Sequence, residues 1–273
     1  MILTIRGITY HIEVLGKGEP VLLLHGFTGS LGTWQFLDKT LGEYFQLIKV
    51  DLIGHGRTAC PADPRRYAMG EALNDLAALM DTLKLEKVHI LGYSMGGRLA
   101  LGFACTHPNR VQSLILESTS PGLSDEESRR ARRNHDRKLA ERIRNSGLQR
   151  FVDYWENIPL FESQKKMPQN KRDTLRNERL AGSENGLAGS LLGMGTGSQP
   201  SFWNDLESFS FPVFLITGQL DEKFCRIADR MRKHFKKADW QVIHSVGHAV
   251  HLENNLVFSQ IVIKFLMAHA EAK

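Results

Sequence analysis

Val88-His89-Ile90-Leu91-Gly92-Tyr93-Ser94-Met95-Gly96-Gly97-Arg98 decides how the rest of the chain is read. A short, mostly apolar run enters Gly-x-Ser-x-Gly, and a helix-like segment from Arg98 to His107 follows. A serine between a buried strand and a helix sits on a tight turn, where small flanking residues relieve crowding and the hydroxyl is held above the sheet edge. The helix start offers its N–H groups and dipole to negative charge forming nearby. In a chain with 24 glycines the five-residue pattern alone is a weak filter. The strand before it and the helix after it make Ser94 the candidate nucleophile.

Outward from this stretch the chain alternates. Residues 21–24, 47–50, 88–91, 114–116 and 213–216 are short apolar runs, most of them closed by Gly, Asp or Ser, and read as buried parallel strands. Between them, residues 67–83, 99–104 and 257–267 repeat apolar positions at helical spacing. Strand followed by helix, repeated, predicts a doubly wound α/β sheet. Residues 3–6 and 10–15 around Gly7 predict an antiparallel hairpin at the sheet's edge.

Residues 123–200 break the rhythm with Arg-rich helical stretches, the aromatic segment Phe151-Val152-Asp153-Tyr154-Trp155 and a Gly-rich run over residues 182–197. They predict a mostly helical cap inserted into a core formed by residues 1–122 and 201–273. The insertion holds fifteen Lys and Arg against eleven Asp and Glu, so four of the chain's five net positive charges lie there. Arg129-Arg130-Ala131-Arg132-Arg133 also reads as a solvated helix face. A nucleic-acid patch is disfavoured, because Asp125, Glu126, Glu127 and Asp136 interrupt the run and no nucleic-acid-binding motif accompanies it.

A length of 273 residues with 42% hydrophobic content suits one α/β domain carrying an insertion. Cys60, Cys105 and Cys225 are widely spaced and form neither a metal pattern nor a full disulfide framework, so no metal or cofactor is expected and a reducing cytoplasm is the expected home. The N-terminus lacks a basic leader with a long apolar run, and no segment approaches the roughly 20 apolar residues that cross a bilayer.

A serine hydroxyl becomes a useful base or nucleophile when a histidine takes its proton and a carboxylate fixes that histidine's tautomer. On a doubly wound sheet carrying this serine turn, the acid follows a late strand and the histidine sits on the loop before the last helix. Asp221 and His248 occupy those loops. Asp51 is a rival acid but is better placed to support the loop Gly54-His55-Gly56. Of the rival histidines, His244 is expected in a strand and His251 on the opening of the last helix. Leu24-His25-Gly26-Phe27-Thr28-Gly29 ends a strand in a Gly-rich turn, where a second oxyanion donor belongs, so the N–H groups of Phe27 and Met95 are the expected pair. His25 reads as a structural bridge between loop backbones.

With these residues in place, the chain resembles α/β-hydrolase-fold proteins over residues 3–268, which implies a mostly parallel eight-stranded sheet flanked by helices, with the cap inserted. Gly92-Tyr93-Ser94-Met95-Gly96-Gly97-Arg98, Glu117-Ser118-Thr119-Ser120-Pro121-Gly122-Leu123, Tyr154-Trp155-Glu156-Asn157-Ile158-Pro159-Leu160-Phe161 and Gly193-Met194-Gly195-Thr196-Gly197-Ser198-Gln199-Pro200-Ser201 closely resemble the 2-succinyl-6-hydroxy-2,4-cyclohexadiene-1-carboxylate synthases of menaquinone biosynthesis. The resemblance implies a lyase that removes a ring proton so that pyruvate leaves, with Ser94, His248 and Asp221 as its triad. It implies a small substrate bearing three carboxylates, which arginine forks suit. Arg98 and Arg132 match two substrate-contacting arginines. Arg176 is the first choice for a third, with Arg179 the alternative. Tyr93 and Trp155 match pocket residues and read equally well as packing beneath the cap. Two other readings stay open: a serine hydrolase of the same fold, for which the triad serves as well, and a non-catalytic small-molecule receptor. Nothing in the sequence fixes an oligomeric state.

Overall fold

The computed structural model describes residues 1–270 of the chain. Eight strands form one sheet: β1 (Ile2–Ile5), β2 (Ile8–Leu15), β3 (Pro20–Leu24), β4 (Gln46–Val50), β5 (Val88–Tyr93), β6 (Val111–Glu117), β7 (Val213–Gly218) and β8 (Ala238–Ile243). Their order is β1-β2-β4-β3-β5-β6-β7-β8. β1 and β2 form the predicted hairpin, and β2 also pairs antiparallel with β4; every later pairing is parallel.

Among the described residues there are eight α-helices, in chain order α1 (Met69–Thr82), α2 (Met95–Thr106), α3 (Glu126–Trp155), α4 (Gln169–Leu180), α5 (Glu184–Met194), α6 (Glu222–Arg232), α7 (Val250–Glu253) and α8 (Asn255–His269). Successive strand residues point to opposite faces. Leu22, Leu24, Ile90 and Leu114 therefore join one apolar cluster with Leu73 of α1, Leu99 of α2 and Met231 of α6. Val21, Leu23, Leu91 and Ile115 join the other with Phe258 and Val262 of α8. Burial on both faces is why the central strands read as continuous apolar runs. β8 lies at the sheet's edge, and its accessibility alternates along Ala238–Ile243, so it lacks such a run.

Three local expectations are corrected. The helix expected over residues 67–83 starts later, because Ala68 takes extended dihedrals (φ −60°, ψ 143°) and separates α1 from a 3₁₀ turn over Pro64–Tyr67. His244 lies just beyond the end of β8 and is exposed. His251 sits on the four-residue α7, which Asn254 separates from α8.

Between β6 and β7 the chain runs through α3, a 3₁₀ segment over Pro159–Lys166, α4 and α5. Ile143, Phe151 and Val152 of α3 bury against Leu187 and Ala188 of α5, forming an apolar cluster of their own. α3 breaks at Gly147, whose φ of 79° suits glycine. The Gly-rich run is largely helical. Gly186, Gly189 and Gly193 share one face of α5, and a β-carbon on any of them would meet Gly54 or Tyr67 at under 3 Å. The glycines let the inserted helix lie directly on a loop of the sheet.

His55, on the loop after β4, is buried, with Nδ1 donating to the carbonyl of Ile53 at 3.0 Å. Burial, then the neighbouring His25, pushes its pKa down to about 3. The unfolded chain therefore takes up this proton as pH falls below about 6.5 while the folded chain does not, and stability present above that value is lost on the way down. His55 alone is expected to cost about 2 kcal/mol at pH 5 relative to pH 7. Denaturant melts at the two pH values should show a smaller acid loss in His55→Gln, and equal losses would clear the imidazole.

Candidate active site

β5 and β6 pair in parallel with Tyr93 opposite Glu117, so both chains leave the sheet at the same level. Ser94 comes next and takes φ 49°, ψ −104°, a conformation few L-residues adopt. Its N–H donates to the carbonyl of Glu117 at 2.9 Å, and its own carbonyl accepts from Arg98 N–H at 3.0 Å. Small neighbours make the turn possible: a β-carbon on Gly96 would stand 2.2 Å from the carbonyl oxygen of Leu24.

His248 Nε2 lies 3.0 Å from Ser94 Oγ, and its Nδ1 lies 2.6 Å from Asp221 Oδ2. Asp221 is also the N-cap of α6, its Oδ1 accepting from Phe224 N–H at 3.2 Å. A cap bond and a histidine bond on one carboxylate fix its orientation. The His248 ring is enclosed by Phe224 at 4.6 Å and Tyr93 at 5.5 Å. Its loop is tied by Glu253, whose carboxylate accepts from Gly247 N–H at 2.8 Å and from Ser163 Oγ, in the 3₁₀ segment Pro159–Lys166, at 3.0 Å. Burial raises the Glu253 carboxyl's pKa.

Ser94 and His248 open into a cavity of about 300 Å³ roofed by the inserted helices. Phe27, Tyr93, Met95, Arg98, Arg132 and Trp155 line the same cavity. Met95 is the first residue of α2, where backbone N–H groups have no partner within the helix. Trp155 stands edge-on to Phe27 at 5.3 Å and beside Phe161 at 5.5 Å. Burial carries the Tyr93 phenol well above its ordinary pKa, so it stays protonated.

The two cavity arginines are held differently. Arg98 donates from Nη1 to the carbonyl of Met194 and to Gln199 Oε1, both at 2.6 Å. Burial, followed by the nearby Arg132, pushes its guanidinium down to about 10, so it is still a cation at neutral pH. Arg132 donates through Nε to Asp136 Oδ1 at 2.8 Å, one helical turn along α3. Burial raises the Asp136 carboxyl's pKa against the pull of the two guanidinium groups.

Arg176 is not brought to this cavity. It sits on α4, ion-paired with Asp153 and Glu156 at the end of α3, and it lines a separate surface cleft. Two carboxylates across the interhelical contact capture its fork. Arg179 is the buried one of the pair, with its guanidinium 5.2 Å from the Phe161 ring centre, yet it too lies outside the cavity lining. His25 bridges backbones as expected, between the Gly26 carbonyl (2.8 Å) and Leu52 N–H (3.0 Å). Asp51 accepts from Leu31 and Arg57 N–H and braces the loop at residues 54–56.

Sequence reasoning left Asp136, Gln199, Glu117 and Glu253 without roles. Only the first left a usable signal, its four-residue spacing from Arg132 on a helix. Among the described residues, no cluster of three or more His, Cys, Asp or Glu is arranged to hold a metal ion, and no helix is long and apolar enough to cross a membrane.

The α/β hydrolase fold family matches residues 19–255, and with the sheet order and the serine turn this sets the class of protein. The chain is 33% identical over 241 residues to the 2-succinyl-6-hydroxy-2,4-cyclohexadiene-1-carboxylate synthase of Enterobacter sp. (strain 638), covering 87% of this chain and 89% of that one. It is 48% identical over 262 residues to a Bacillus subtilis (strain 168) protein that carries the same name provisionally, covering 95% of both. The structure of MenH from S. aureus aligns with a TM-score of 0.92 at 30% identity, covering 96% of this chain and 99% of that one. The chain belongs to the 2-succinyl-6-hydroxy-2,4-cyclohexadiene-1-carboxylate synthase family.

The strain at Ser94 yields a stability test. Glycine accepts φ 49°, ψ −104° without a β-carbon clash, whereas alanine keeps the clash and loses the hydroxyl. Ser94→Gly should therefore be more stable than Ser94→Ala by roughly 1 kcal/mol. Denaturant midpoints that order the two variants the other way would show that the turn is relaxed.

Proposed function

We propose that this chain is a carbon–oxygen lyase that removes pyruvate from 2-succinyl-5-enolpyruvyl-6-hydroxy-3-cyclohexene-1-carboxylate, giving 2-succinyl-6-hydroxy-2,4-cyclohexadiene-1-carboxylate. The observation that carries the reading is that the Ser94–His248–Asp221 relay opens into one cavity with two guanidinium groups, Arg98 and Arg132. The names of the relatives agree with it. In this reading residues 123–200 are the cap, and residues 1–122 with 201–273 are the core that carries the relay. The protein works in the cytoplasm, in keeping with its three free cysteines.

Ser94 Oγ and His248 act together as the base. As the ring C2–H bond breaks, its electron pair forms C2=C3, the C3=C4 pair shifts to C4=C5, and the C5–O bond to the enolpyruvyl group breaks with its pair leaving on oxygen. The proton passes into the Ser94–His248 unit, Asp221 stabilises the imidazolium, and the departing enolpyruvate gains a proton at carbon to become pyruvate. The N–H groups of Phe27 and Met95 receive the negative charge that builds on the carbonyl beside the lost proton. Arg98 and Arg132 hold substrate carboxylates. Arg132 is suited to this because its Nε is committed to Asp136, which leaves its two terminal amino groups for the ligand. Tyr93 and Trp155 shape the apolar wall. We assign neither Arg176 nor Arg179 a direct contact, since both lie outside the cavity lining.

A unit of three residues loses its function non-additively. Single alanine substitutions at Ser94 or His248 should each reduce kcat by roughly 10³-fold or more, with the double variant little worse. A folded Ser94→Ala enzyme with near-normal turnover would remove the serine from the proton path.

Arg98→Ala and Arg132→Ala should each cost on the order of 2–4 kcal/mol in kcat/KM, and lysine should rescue only in part, since it lacks the planar fork. Unchanged kinetics in both alanine variants would leave the cavity without its polyanion site.

The reaction itself is tested by supplying the enolpyruvyl precursor, made in situ, and following pyruvate release above the spontaneous rate. Acceleration, with no oxygen from solvent water entering the product carboxylates, is the expected outcome. Efficient turnover of simple esters with no acceleration of pyruvate release would make the chain a serine hydrolase instead.

A further inference from the structure

Behind the relay lies a second histidine–carboxylate pair that the proposed reaction does not use. Glu117, the last residue of β6, is fully buried, and His251 of α7 is 1% exposed. The His251 ring donates from Nδ1 to both Glu117 carboxylate oxygens, at 2.9 and 2.8 Å, and the His251 backbone N–H donates to Glu117 Oε1 at 3.0 Å. The Tyr93 ring lies between the two histidines, 5.5 Å from His248 and 4.5 Å from His251.

Glu117 therefore touches both halves of the relay. Its carbonyl accepts the N–H of Ser94, and its side chain grips the short helix that begins two residues after His248. α7 has one helical turn, too little to hold its own position by internal hydrogen bonds. The spacing between Ser94 and His248 then depends on where Glu117 sets α7 relative to the turn. A misplacement of about 1 Å in such a unit can cost on the order of a hundredfold in rate.

We propose that Glu117 and His251 form a positioning pair that sets the distance between Ser94 Oγ and His248 Nε2, and that the length of the Glu117 side chain, more than its charge, is what matters. This rests on the reading of Ser94 and His248 as the reactive unit. Glutamine at position 117 keeps the reach: its amide oxygen accepts from the His251 backbone N–H, and its amide nitrogen donates to Nδ1 of the other ring tautomer. Aspartate keeps the charge and shortens the tether by one methylene.

The test uses the full-length protein and a serine-directed phosphonate, whose reaction needs the serine–histidine pair and not the arginines, with labelling rates normalised to folded protein. Glu117→Asp should label roughly tenfold more slowly than wild type or worse, with a matching fall in kcat and a KM within about twofold. Glu117→Gln should label within about threefold of wild type. Glu117→Asp labelling at the wild-type rate would reduce the pair to a fold contact, and Glu117→Gln as slow as Glu117→Asp would make the charge the operative property; either result overturns the proposal. Ser94→Ala serves as the control. Labelling that persists in it removes the reactive unit, and the positioning pair with it. Labelling lost in that control while Glu117→Asp stays fast rejects the pair alone.

Discussion

The backbone of Ser94 is the constraint on which the site depends. A residue at φ 49°, ψ −104° stays there only while its surroundings over-determine it. The parallel register of β5 and β6 puts the Glu117 carbonyl under the Ser94 N–H, and glycine at position 96 lets the turn pack against the end of β3. The strained turn places the hydroxyl 3.0 Å from His248 Nε2 and starts α2 at Met95, a residue of the cavity lining.

From there the site is assembled by carboxylates that each make more than one bond. Asp221 caps α6 and holds His248. Glu253 joins the loop before His248 to Ser163 of the 3₁₀ segment Pro159–Lys166, and Glu117 joins the serine turn to α7. Asp136 holds Arg132 through its Nε, one turn along α3. Shared carboxylates of this kind correlate the positions of groups that are distant in the chain, which a rate dependent on ångström-scale placement requires.

The polar groups that meet at the cavity come from different parts of the chain. Ser94, His248 and Asp221 stand at the ends of strands or on the loops that follow them, while Arg132 comes from α3 and Arg98 is anchored by the carbonyl of Met194 and by Gln199. The relay suits any chemistry that needs a proton moved, so the arginines and the cavity they share with it argue for a polyanionic substrate.

The sequence by itself determined the alternation of strands and helices, the serine turn, the loops bearing Asp221 and His248, and the insertion between β6 and β7. Those are local signals: apolar runs, helical spacing and turn residues act over a few positions. β8 was harder to read because an edge strand is half exposed. Tertiary structure alone decided which arginines face the cavity, since Arg176 and Arg98 look alike in sequence and differ in what surrounds them: two carboxylates, Asp153 and Glu156, at the end of α3 for one, the Met194 carbonyl and the Gln199 side-chain amide for the other. It also decided that Glu117 meets His251, across 134 positions of chain. No periodicity encodes such a contact, because it exists only once the sheet order brings β6 alongside α7.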